Sequence, residues 1–360
     1  MKKENPTKLL EALVKIPSLS GFEGKIAQYI KKQLLPYVSA SKMKIDFQNN
    51  LVVTIKGKSK DVVMLDAHLD QIGFVVNNID IDGYVSIEEI GGVDNDIVQA
   101  RPVVIQTYKG KTINGVVDKK PIHYLEHGES TRANKHTDLE VNLDIGVRKS
   151  RNVNAHIRVG DPLMFKPEFG HLLEDYYYGY GFDDKIGCYM LMELIKHVSR
   201  KKNKPDNTLV FVFSAQEEIG KTKASVIARQ FKPKVFIELD VTTATDVDAY
   251  EMFEREAGKC DLDKGIVIYR GVGIYPPLAL ALERTARQVK AKIQFQATAG
   301  QTGYTNGEIA YTKSAIIGIP LRNMHTPVEV LSMKDVNNGI KLLKNFLFSK
   351  RLNTIVRKDS

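Results

Sequence analysis

The second half of the chain contains three short runs that are almost wholly apolar: TLVFVFS (208–214), KVFIEL (234–239) and SAIIGI (314–319). A strand with one solvated face alternates apolar and polar residues, whereas a parallel strand covered by helices on both faces is apolar throughout. Two further strand-like runs, LVVTI (51–55) and VVMLD (62–66), occur near the start. Runs of this type restrict the chain to an α/β fold in which helices cover the faces of a sheet.

Helical patterns lie between these strands and beyond them. Apolar residues between Ile26 and Leu34 recur with the helical period, and Pro36 marks the end of that pattern. The run IGCYMLMELIKHV (186–198) is apolar on nearly every side, which predicts a buried helix. The remaining predicted helices span 278–291 and 334–348.

The segment from Gly73 to about Phe165 breaks the alternation of helices and strands. Short Val/Ile runs are separated there by turn signals, and no helix of normal length is predicted. This pattern is typical of a small antiparallel β-domain. We therefore expect residues 1–72 and 166–360 to form one α/β domain, with residues 73–165 inserted as a β-rich domain. Because the two flanking parts could fold without this insert, we expect it to serve as an oligomerisation domain.

Composition indicates an ordinary globular chain. Of its 360 residues, 43% are apolar and 26% are charged, and no run of about 18 uncharged apolar residues predicts a membrane span. The N-terminal lysines are followed by Glu4 and Glu11 within an amphipathic pattern, so no signal peptide is predicted. Two cysteines, Cys188 and Cys260, cannot form a disulfide framework, which favours the reducing cytoplasm.

The net charge of +9 has two concentrated sources, SRKKNKP (199–205) and SKRLNTIVRK (349–358). Such charge can attract nucleic acid or acidic ligands. The lysines are not interleaved with aromatic residues, however, and no nucleic-acid-binding motif is present. We therefore interpret both segments as solvated surface and expect no specific nucleic-acid partner.

Acidic and histidine side chains follow the predicted strands. In open α/β sheets, ligands bind beyond the carboxyl ends of the strands, so these side chains are expected to face one crevice. Two more acids stand directly before the buried helix, where one of them could simply cap it. Taken one at a time, each residue has an ordinary structural explanation, but their repetition at strand ends predicts a metal site. The residues concerned are His68, Asp70, Asp183, Asp184, Glu217, Glu218, Asp240 and His325.

Five stretches carry a resemblance to a known family. DAHLDQIGF, GFDDKIG, FSAQEEIG, LDVT and RNMHTPVE occur in this order, and the similarity extends from SLSGFEGKIA (18–27) through VGDP (159–162) to the final helix. Together they resemble the motif set of the tetrahedral (TET) aminopeptidases, dinuclear-metal exopeptidases of metallopeptidase family forty-two. The resemblance implies a mixed α/β sheet flanked by helices, with an inserted small β-barrel-like domain. It also implies short peptide substrates and a homo-oligomer, a dodecamer built from dimers.

The resemblance also implies a role for each site residue. Asp183 bridges two divalent metal ions, His68 and Asp240 complete one metal site, and Glu218 and His325 complete the other. Asp70 orients His68 from outside the ligand set, as carboxylates often do. Glu217 is the general base, and Asp184 is a structural neighbour.

The charges of this implied site suit hydrolysis. Two divalent ions bring four positive charges, and the carboxylates of Asp183, Asp240 and Glu218 bring three negative ones, which leaves one positive charge for a bridging hydroxide. Metal binding can lower the pKa of water from 15.7 to about 7. Glu217 can then take up the proton and deliver it to the leaving amine. A nitrogen and oxygen ligand set without cysteine suits Zn²⁺, with Co²⁺ or Mn²⁺ as alternatives.

Three positions depart from the family pattern. Gln71 stands where glutamate is usual, Asn323 where tyrosine is usual, and Gly303 where an aspartate is expected. All predicted metal ligands are retained, so the departures concern substrate binding, and we expect them to lie in segments that line the substrate pocket. The loss of the acid at Gly303 and the basic net charge favour some tolerance for acidic N-terminal residues.

Two alternative functions remain at this point. The first is a dinuclear amidase or deacylase acting on a non-peptide amide, which the loss of the acid at Gly303 would suit. The second is a non-catalytic assembly protein or a basic nucleic-acid binder on the same fold, which the complete ligand set argues against. Hydrolysis of aminoacyl anilides after addition of metal would separate a peptidase from an amidase.

Overall fold

A computed structural model describes residues 6–124, 143–220, 224–247, 258–299 and 312–358. The described α-helices are α1 (Pro6–Val14), α2 (Gly24–Leu34), α3 (Ser150–Asn154), α4 (Phe182–Arg200), α5 (Ala224–Phe231), α6 (Pro276–Val289), α7 (Met333–Phe346) and α8 (Lys350–Arg357). The strands are β1 (Met43–Ile45), β2 (Leu51–Ile55), β3 (Val62–His68), β4 (Gly73–Ile79), β5 (Val85–Ile90), β6 (Pro102–Gln106), β7 (Thr112–Val117), β8 (Leu143–Asp144), β9 (Pro162–Phe165), β10 (Phe169–His171), β11 (Tyr176–Gly179), β12 (Thr208–Ser214), β13 (Val235–Thr243), β14 (Ile266–Gly271), β15 (Ile293–Thr298), β16 (Lys313–Leu321) and β17 (Glu329–Ser332).

An eight-stranded mixed sheet has the order β1-β2-β12-β3-β13-β16-β14-β15. Its four central strands, β12, β3, β13 and β16, run parallel to one another, so their carboxyl ends meet at one edge. The predicted strands at 51–55 and 208–214 have the predicted bounds. Strands β3 and β13 run further than predicted, so that His68 and Asp240 lie inside strands rather than after them.

Helix α4 forms the centre of the largest core. It is 19 residues long, and all but a few of its side chains are buried between the sheet and α1, α2 and α7. Gly339 lets α7 approach α4 closely, since a Cβ there would lie 2.7 Å from the terminal methyl group of Met190 and 3.0 Å from Ile266 and would displace the methionine side chain. Burial on every side explains why this helix is apolar throughout rather than amphipathic. The opposite face of the sheet carries a smaller apolar cluster beneath α5.

A six-stranded sheet, β5-β4-β9-β6-β7-β8, is built from strands between Gly73 and Phe165. All of its strand pairs are antiparallel. It has its own apolar core, in which the rings of Phe74, Phe165 and Tyr180 meet edge to face with centroids 5.5 Å apart. The only α-helix among the described residues of this segment is the five-residue α3.

The predicted fold class, a mixed α/β sheet flanked by helices, is confirmed. A third sheet has the order β10-β11-β17 and lies beside the eight-stranded one. Its strand β17 begins at Glu329. Among the described helices, none combines the length and the apolar character needed to cross a membrane.

Candidate metal centre

The carboxyl edge of the parallel strands brings the predicted ligands together. His68 is the last residue of β3, and Asp240 lies in the neighbouring strand β13. Glu218 follows β12, His325 follows β16, and Asp183 stands in the first turn of α4. Elements distant in sequence therefore converge because parallel strands end at one side of the sheet.

Asp183 is shared between two groups of possible ligands. The ligand atoms of His68, Asp183 and Asp240 all lie within 4.8 Å of one another, as do those of Asp183, Glu218 and His325. One oxygen of Asp183, Oδ1, is 3.0 Å from Nε2 of His68, and its other oxygen, Oδ2, is 3.3 Å from Nε2 of His325. Each oxygen thus serves a different group, as a bridging carboxylate would.

Backbone carbonyls fix the tautomer of both histidines. Nδ1 of His68 lies 3.0 Å from the carbonyl of Asp70, and Nδ1 of His325 lies 2.9 Å from the carbonyl of Gly92. A carbonyl only accepts hydrogen bonds, so Nδ1 carries the hydrogen in each ring. When Nε2 carries no hydrogen, its lone pair faces the ligand groups, and this neutral ring is the form that would bind a metal ion.

The site is rich in buried carboxylates. Burial, together with the charge of Asp183, raises the pKa of Glu218 to about 7 and that of Asp240 well above its usual range. Burial disfavours the charged imidazole of His325, yet hydrogen bonds to Asp183 and Glu218 raise its pKa to about 11. The field of these carboxylates therefore favours positive charge, which divalent ions would supply in place of protons. Oε1 of Glu218 is buried and has no hydrogen-bond partner, and a metal ion would satisfy it.

The Asp70 carboxylate makes contacts that the sequence did not predict. Its Oδ1 is 3.6 Å from Nδ1 of His68, further than the backbone carbonyl of the same residue. It accepts hydrogen bonds from the backbone N–H groups of Glu217 and Glu218, both at 3.1 Å, and from the hydroxyl of Ser20 at 2.7 Å. The carboxylate therefore holds the turn that carries both glutamates, while the carbonyl orients His68.

A second buried acid, Glu23, continues this support. Its Oε1 accepts hydrogen bonds from the backbone N–H of Gln216 at 3.2 Å and of Gly21 at 2.6 Å. Gln216 has a positive φ of 62°, a conformation that a non-glycine residue adopts at a cost. Burial raises the pKa of Glu23 to about 7. Three consecutive N–H groups, from Gln216 to Glu218, are thus bound by two buried carboxyl groups.

Glu329 links the two loops that carry Asp183 and His325. Its Oε2 accepts hydrogen bonds from the backbone N–H of Phe182 at 2.7 Å and of Asp183 at 3.4 Å, and its Oε1 accepts one from the N–H of His325 at 3.2 Å. The side chain is buried, and burial followed by the charge of Asp183 raises its pKa. Glu329 belongs to the stretch RNMHTPVE, and nothing in the sequence indicates this role.

Asp184 faces away from the ligand groups. Its Oδ2 accepts a hydrogen bond from the backbone N–H of His68 at 3.2 Å, and its Oδ1 accepts one from the N–H of Gly187 at 3.0 Å. A Cβ at Gly187 would lie 2.4 Å from this carboxylate, so only glycine fits. Asp184 thus caps the first turn of α4 and joins it to β3.

Glu217 contributes no atom to either ligand group within the described residues. Its side chain is half-buried beside them, and burial raises the pKa of its carboxyl group. A carboxylate that is close to the site, not bound up in a ligand group and more basic than usual is suited to accepting a proton.

The three departures from the family pattern fall in different surroundings. Gln71 is buried, and its Oε1 accepts hydrogen bonds from the ammonium group of Lys185 and, at 3.3 Å, from the hydroxyl of Ser18. It therefore lies beneath the site rather than lining a pocket open to substrate. Asn323 is exposed and donates to the carbonyl of Val328 at 3.2 Å, within the loop that holds His325. Gly303 lies outside the described residues.

Comparison with known proteins identifies the family of this chain. Residues 49–342 match the family described as M42 glutamyl aminopeptidase. The chain is 30% identical over 346 residues to the lysyl aminopeptidase of Pyrococcus furiosus, covering 94% of this chain and 96% of the relative.

Two solved structures have the same fold over nearly the whole chain. The TET aminopeptidase of the marine sediment archaeon Thaumarchaeota archaeon SCGC AB-539-E09 superposes with a TM-score of 0.89 at 26% identity, covering 99% of both chains. The TET1 peptidase of Pyrococcus horikoshii, described as able to assemble into a tetrahedron or a large octahedral shell, superposes with a TM-score of 0.84 at 25% identity, covering 96% of this chain and 100% of that one. The chain belongs to the M42 glutamyl aminopeptidase family and is a hydrolase of peptide bonds.

Proposed function

We propose that the chain is a metal-dependent aminopeptidase that removes N-terminal residues from short peptides. The observation that carries this proposal is the position of Asp183, whose two oxygens face two separate groups of nitrogen and oxygen ligands. His68 and Asp240 would hold one divalent ion with Asp183, and Glu218 and His325 would hold the other.

The residues around the ligands supply positioning and proton transfer. When bound, divalent ions lower the pKa of water to about 7 and polarise the scissile carbonyl. Glu217 would accept the proton of the attacking water and deliver it to the leaving amine. Asp70 would position Glu217, because its carboxylate accepts a hydrogen bond of 3.1 Å from the backbone N–H of Glu217 and so holds the turn that carries this general base.

The donor set also bears on the identity of the metal and on the compartment. Imidazole nitrogens with carboxylate oxygens, and no thiolate, suit Zn²⁺, and Co²⁺ or Mn²⁺ are the alternatives. We propose a cytoplasmic location because both cysteines, Cys188 and Cys260, are free and buried. Elemental analysis of protein purified without added metal would identify the native ion and its stoichiometry.

We propose that residues 73–165 are an inserted domain that mediates assembly into a homo-oligomer, a dodecamer built from dimers. This segment has its own core, and it exposes large apolar side chains that a monomer would leave in water. Ile81 is 87% exposed, Ile122 67% and Tyr124 74%. The assembly described for the TET1 peptidase of Pyrococcus horikoshii supports the same proposal.

Hydrolysis of Leu-, Lys- and Glu-anilides tests the proposed activity. We expect a chelator to abolish hydrolysis, and Zn²⁺ or Co²⁺ to restore it. Hydrolysis of an N-acylated amide without any hydrolysis of the three anilides would instead favour the amidase or deacylase. The amidase or deacylase is favoured by the loss of the acid at Gly303, which lies outside the described residues. No contact among the described residues favours this alternative.

A further inference from the structure

A groove of about 910 Å³ lies at the far end of helix α4 from the metal centre. It is lined by the C-terminal end of α4 and by parts of α6, α7 and α8. The metal centre and His197 in this groove lie at opposite ends of α4, whose regular part from Lys185 to His197 is about 18 Å long at 1.5 Å per residue. The groove is therefore distinct from the proposed active site.

The two basic segments of the sequence meet at this groove. Lys201 comes from the segment 199–205, and Lys350 and Arg351 come from the segment 349–358. Lys341 and Lys344 of α7 add two more charges. Nothing in the sequence indicates that these two segments lie side by side, and each segment alone is typical of solvated surface. Together these five residues are called the basic groove below.

Uncharged partners hold several of these cations in place. The guanidinium of Arg351 donates a hydrogen bond of 2.6 Å to the side-chain carbonyl of Gln288, and the ammonium of Lys341 donates one of 3.1 Å to the backbone carbonyl of Lys290. The ammonium of Lys201 lies 5.6 Å from the centroid of the Phe348 ring. These contacts order the side chains without neutralising them.

Carboxylates are scarce around the basic groove. Among the described residues, the ion pairs of the five cations comprise one contact of 4.0 Å, between Lys344 and Glu193. Elsewhere the described chain pairs its cations closely, as in the contact of 2.7 Å between Arg322 and Asp246. Five like charges in one concave surface repel one another and raise the local concentration of anions.

The titration of groups in the groove agrees with a positive potential. Burial lowers the pKa of His197, and the charges of Lys201 and Lys344 lower it further. Burial also lowers the pKa of Lys344, where Glu193 opposes the effect and Arg200 and Lys196 add to it. Both groups therefore experience neighbouring positive charge that is incompletely balanced.

We propose that the basic groove binds an oligophosphate anion. Several phosphates in a row present closely spaced negative charges, and their oxygens accept hydrogen bonds from ammonium and guanidinium groups alike. The volume lies within the roughly 300–1,000 Å³ typical of small-molecule sites. Inorganic tripolyphosphate and the triphosphate chain of a nucleotide share this chemistry, and the experiment distinguishes them.

Calorimetric titration of the assembled, metal-loaded protein tests the proposal. Tripolyphosphate and ATP are titrated separately, at low and at moderate salt, into the wild type and into a Lys344→Gln, Arg351→Gln double variant. The matched control is a Lys60→Gln, Lys234→Gln double variant, which removes the same charge from two exposed lysines outside both the groove and the segment 73–165. Oligophosphates also chelate divalent ions, and the comparison of the two double variants separates that effect from binding in the groove.

We expect the groove variant to bind at least tenfold more weakly than the wild type, and the control variant to stay within about twofold. Hydrolytic activity should be unchanged in both, because neither pair lies in the proposed active site. Equal affinity for tripolyphosphate and ATP would assign binding to the phosphates alone, and tighter binding of ATP would add a contribution from the nucleoside.

Three results would overturn the proposal. The first is the absence of binding to the wild type, and the second is an equal loss in both double variants, which would indicate unspecific attraction. The third is full binding to the groove variant, which would place the ligand elsewhere. Should the groove variant fail to fold, the single Lys350→Gln variant is used, and the same three results apply. Peptidase activity enters none of these outcomes, so the proposal stands or falls independently of the proposed function.

Discussion

Replacing Glu329 by glutamine is expected to weaken metal binding while leaving the fold intact. The Glu329 carboxylate accepts three backbone hydrogen bonds, two from the loop of Asp183 and one, of 3.2 Å, from the N–H of His325. Glutamine has a single acceptor oxygen. If that oxygen keeps the two hydrogen bonds to the N–H groups of Phe182 and Asp183, the NH₂ group of the glutamine faces the N–H of His325. Both groups are donors, so the hydrogen bond to His325 is lost.

The magnitude follows from the bond that is lost. Leaving a buried donor unsatisfied costs about 1–3 kcal/mol. Without this hydrogen bond, the backbone of His325 is less restrained. Holding the ring in the position that binds a metal ion then costs this free energy, which weakens metal binding. Since 1.4 kcal/mol corresponds to about a tenfold change in a dissociation constant, we expect roughly 10- to 100-fold weaker binding.

Competition with a chromophoric chelator would measure this loss for each metal ion. Glu283→Gln is the matched control: Glu283 is also buried and is bound by Arg270 at 2.8 Å and by Arg287 at 2.6 Å, but it lies on α6, away from the site. Melting of the metal-free protein reports any general destabilisation. If Glu329→Gln lowers the melting temperature of the metal-free protein as much as Glu283→Gln does and leaves both metal affinities unchanged, Glu329 is merely structural and the reasoning is refuted.

Three further predictions concern the base, the substrate and the assembly. The Glu217→Gln variant should keep about two metal ions per chain while its turnover falls by roughly 10²–10⁴. The Glu218→Gln variant should lose metal from one site and recover part of its activity in excess metal. Metal analysis and kinetics of both variants test this prediction, and the opposite pattern would reverse the two roles. An anilide panel should show hydrolysis of Glu substrates beside Leu and Lys, and a strong preference for Lys over both others would contradict the expected tolerance for acidic residues. In sedimentation, an Ile122→Asp, Tyr124→Asp double variant should form smaller species than the wild type. The control variant Phe47→Asp changes a side chain that is 94% exposed and lies outside the segment 73–165, and it should sediment as the wild type does. Identical sedimentation of all three proteins would show that Ile122 and Tyr124 are not in the interface.

Much of the arrangement was predictable because it follows from the direction of strands. The apolar runs predicted a covered sheet, and acids or histidines at the ends of parallel strands must meet at one edge. His68 and the pair Glu217 and Glu218 could therefore be picked out from the sequence, whereas the choice of Asp183 over Asp184 came from the resemblance to a family. Their pairing into two groups came from the resemblance to a family, because spacing along a chain does not say which side chains face one another.

The groups that hold the ligands in place were not predictable in the same way. Glu23 and Glu329 act on backbone N–H groups far away in sequence, and an acid inside a motif gives no signal of which N–H it will meet. Gln71 belongs to a segment that was expected to line the substrate pocket, but its own side chain is buried against the ammonium group of Lys185, a contact that the sequence does not indicate. The basic groove was missed because its charges come from helices that only the folded chain brings together.

The contact between His325 and the carbonyl of Gly92 has a consequence for how this chain can evolve. Gly92 follows strand β5 of the six-stranded sheet, and the acceptor is a main-chain atom that every residue type possesses. A substitution at position 92 therefore leaves the backbone carbonyl that accepts the hydrogen bond from His325 in the chain. A one-residue insertion or deletion between β5 and β6 would instead move the carbonyl away from the ring. Selection at this point is expected to act on the length of the loop, so that alignments would record it as a scarcity of gaps rather than as a conserved letter.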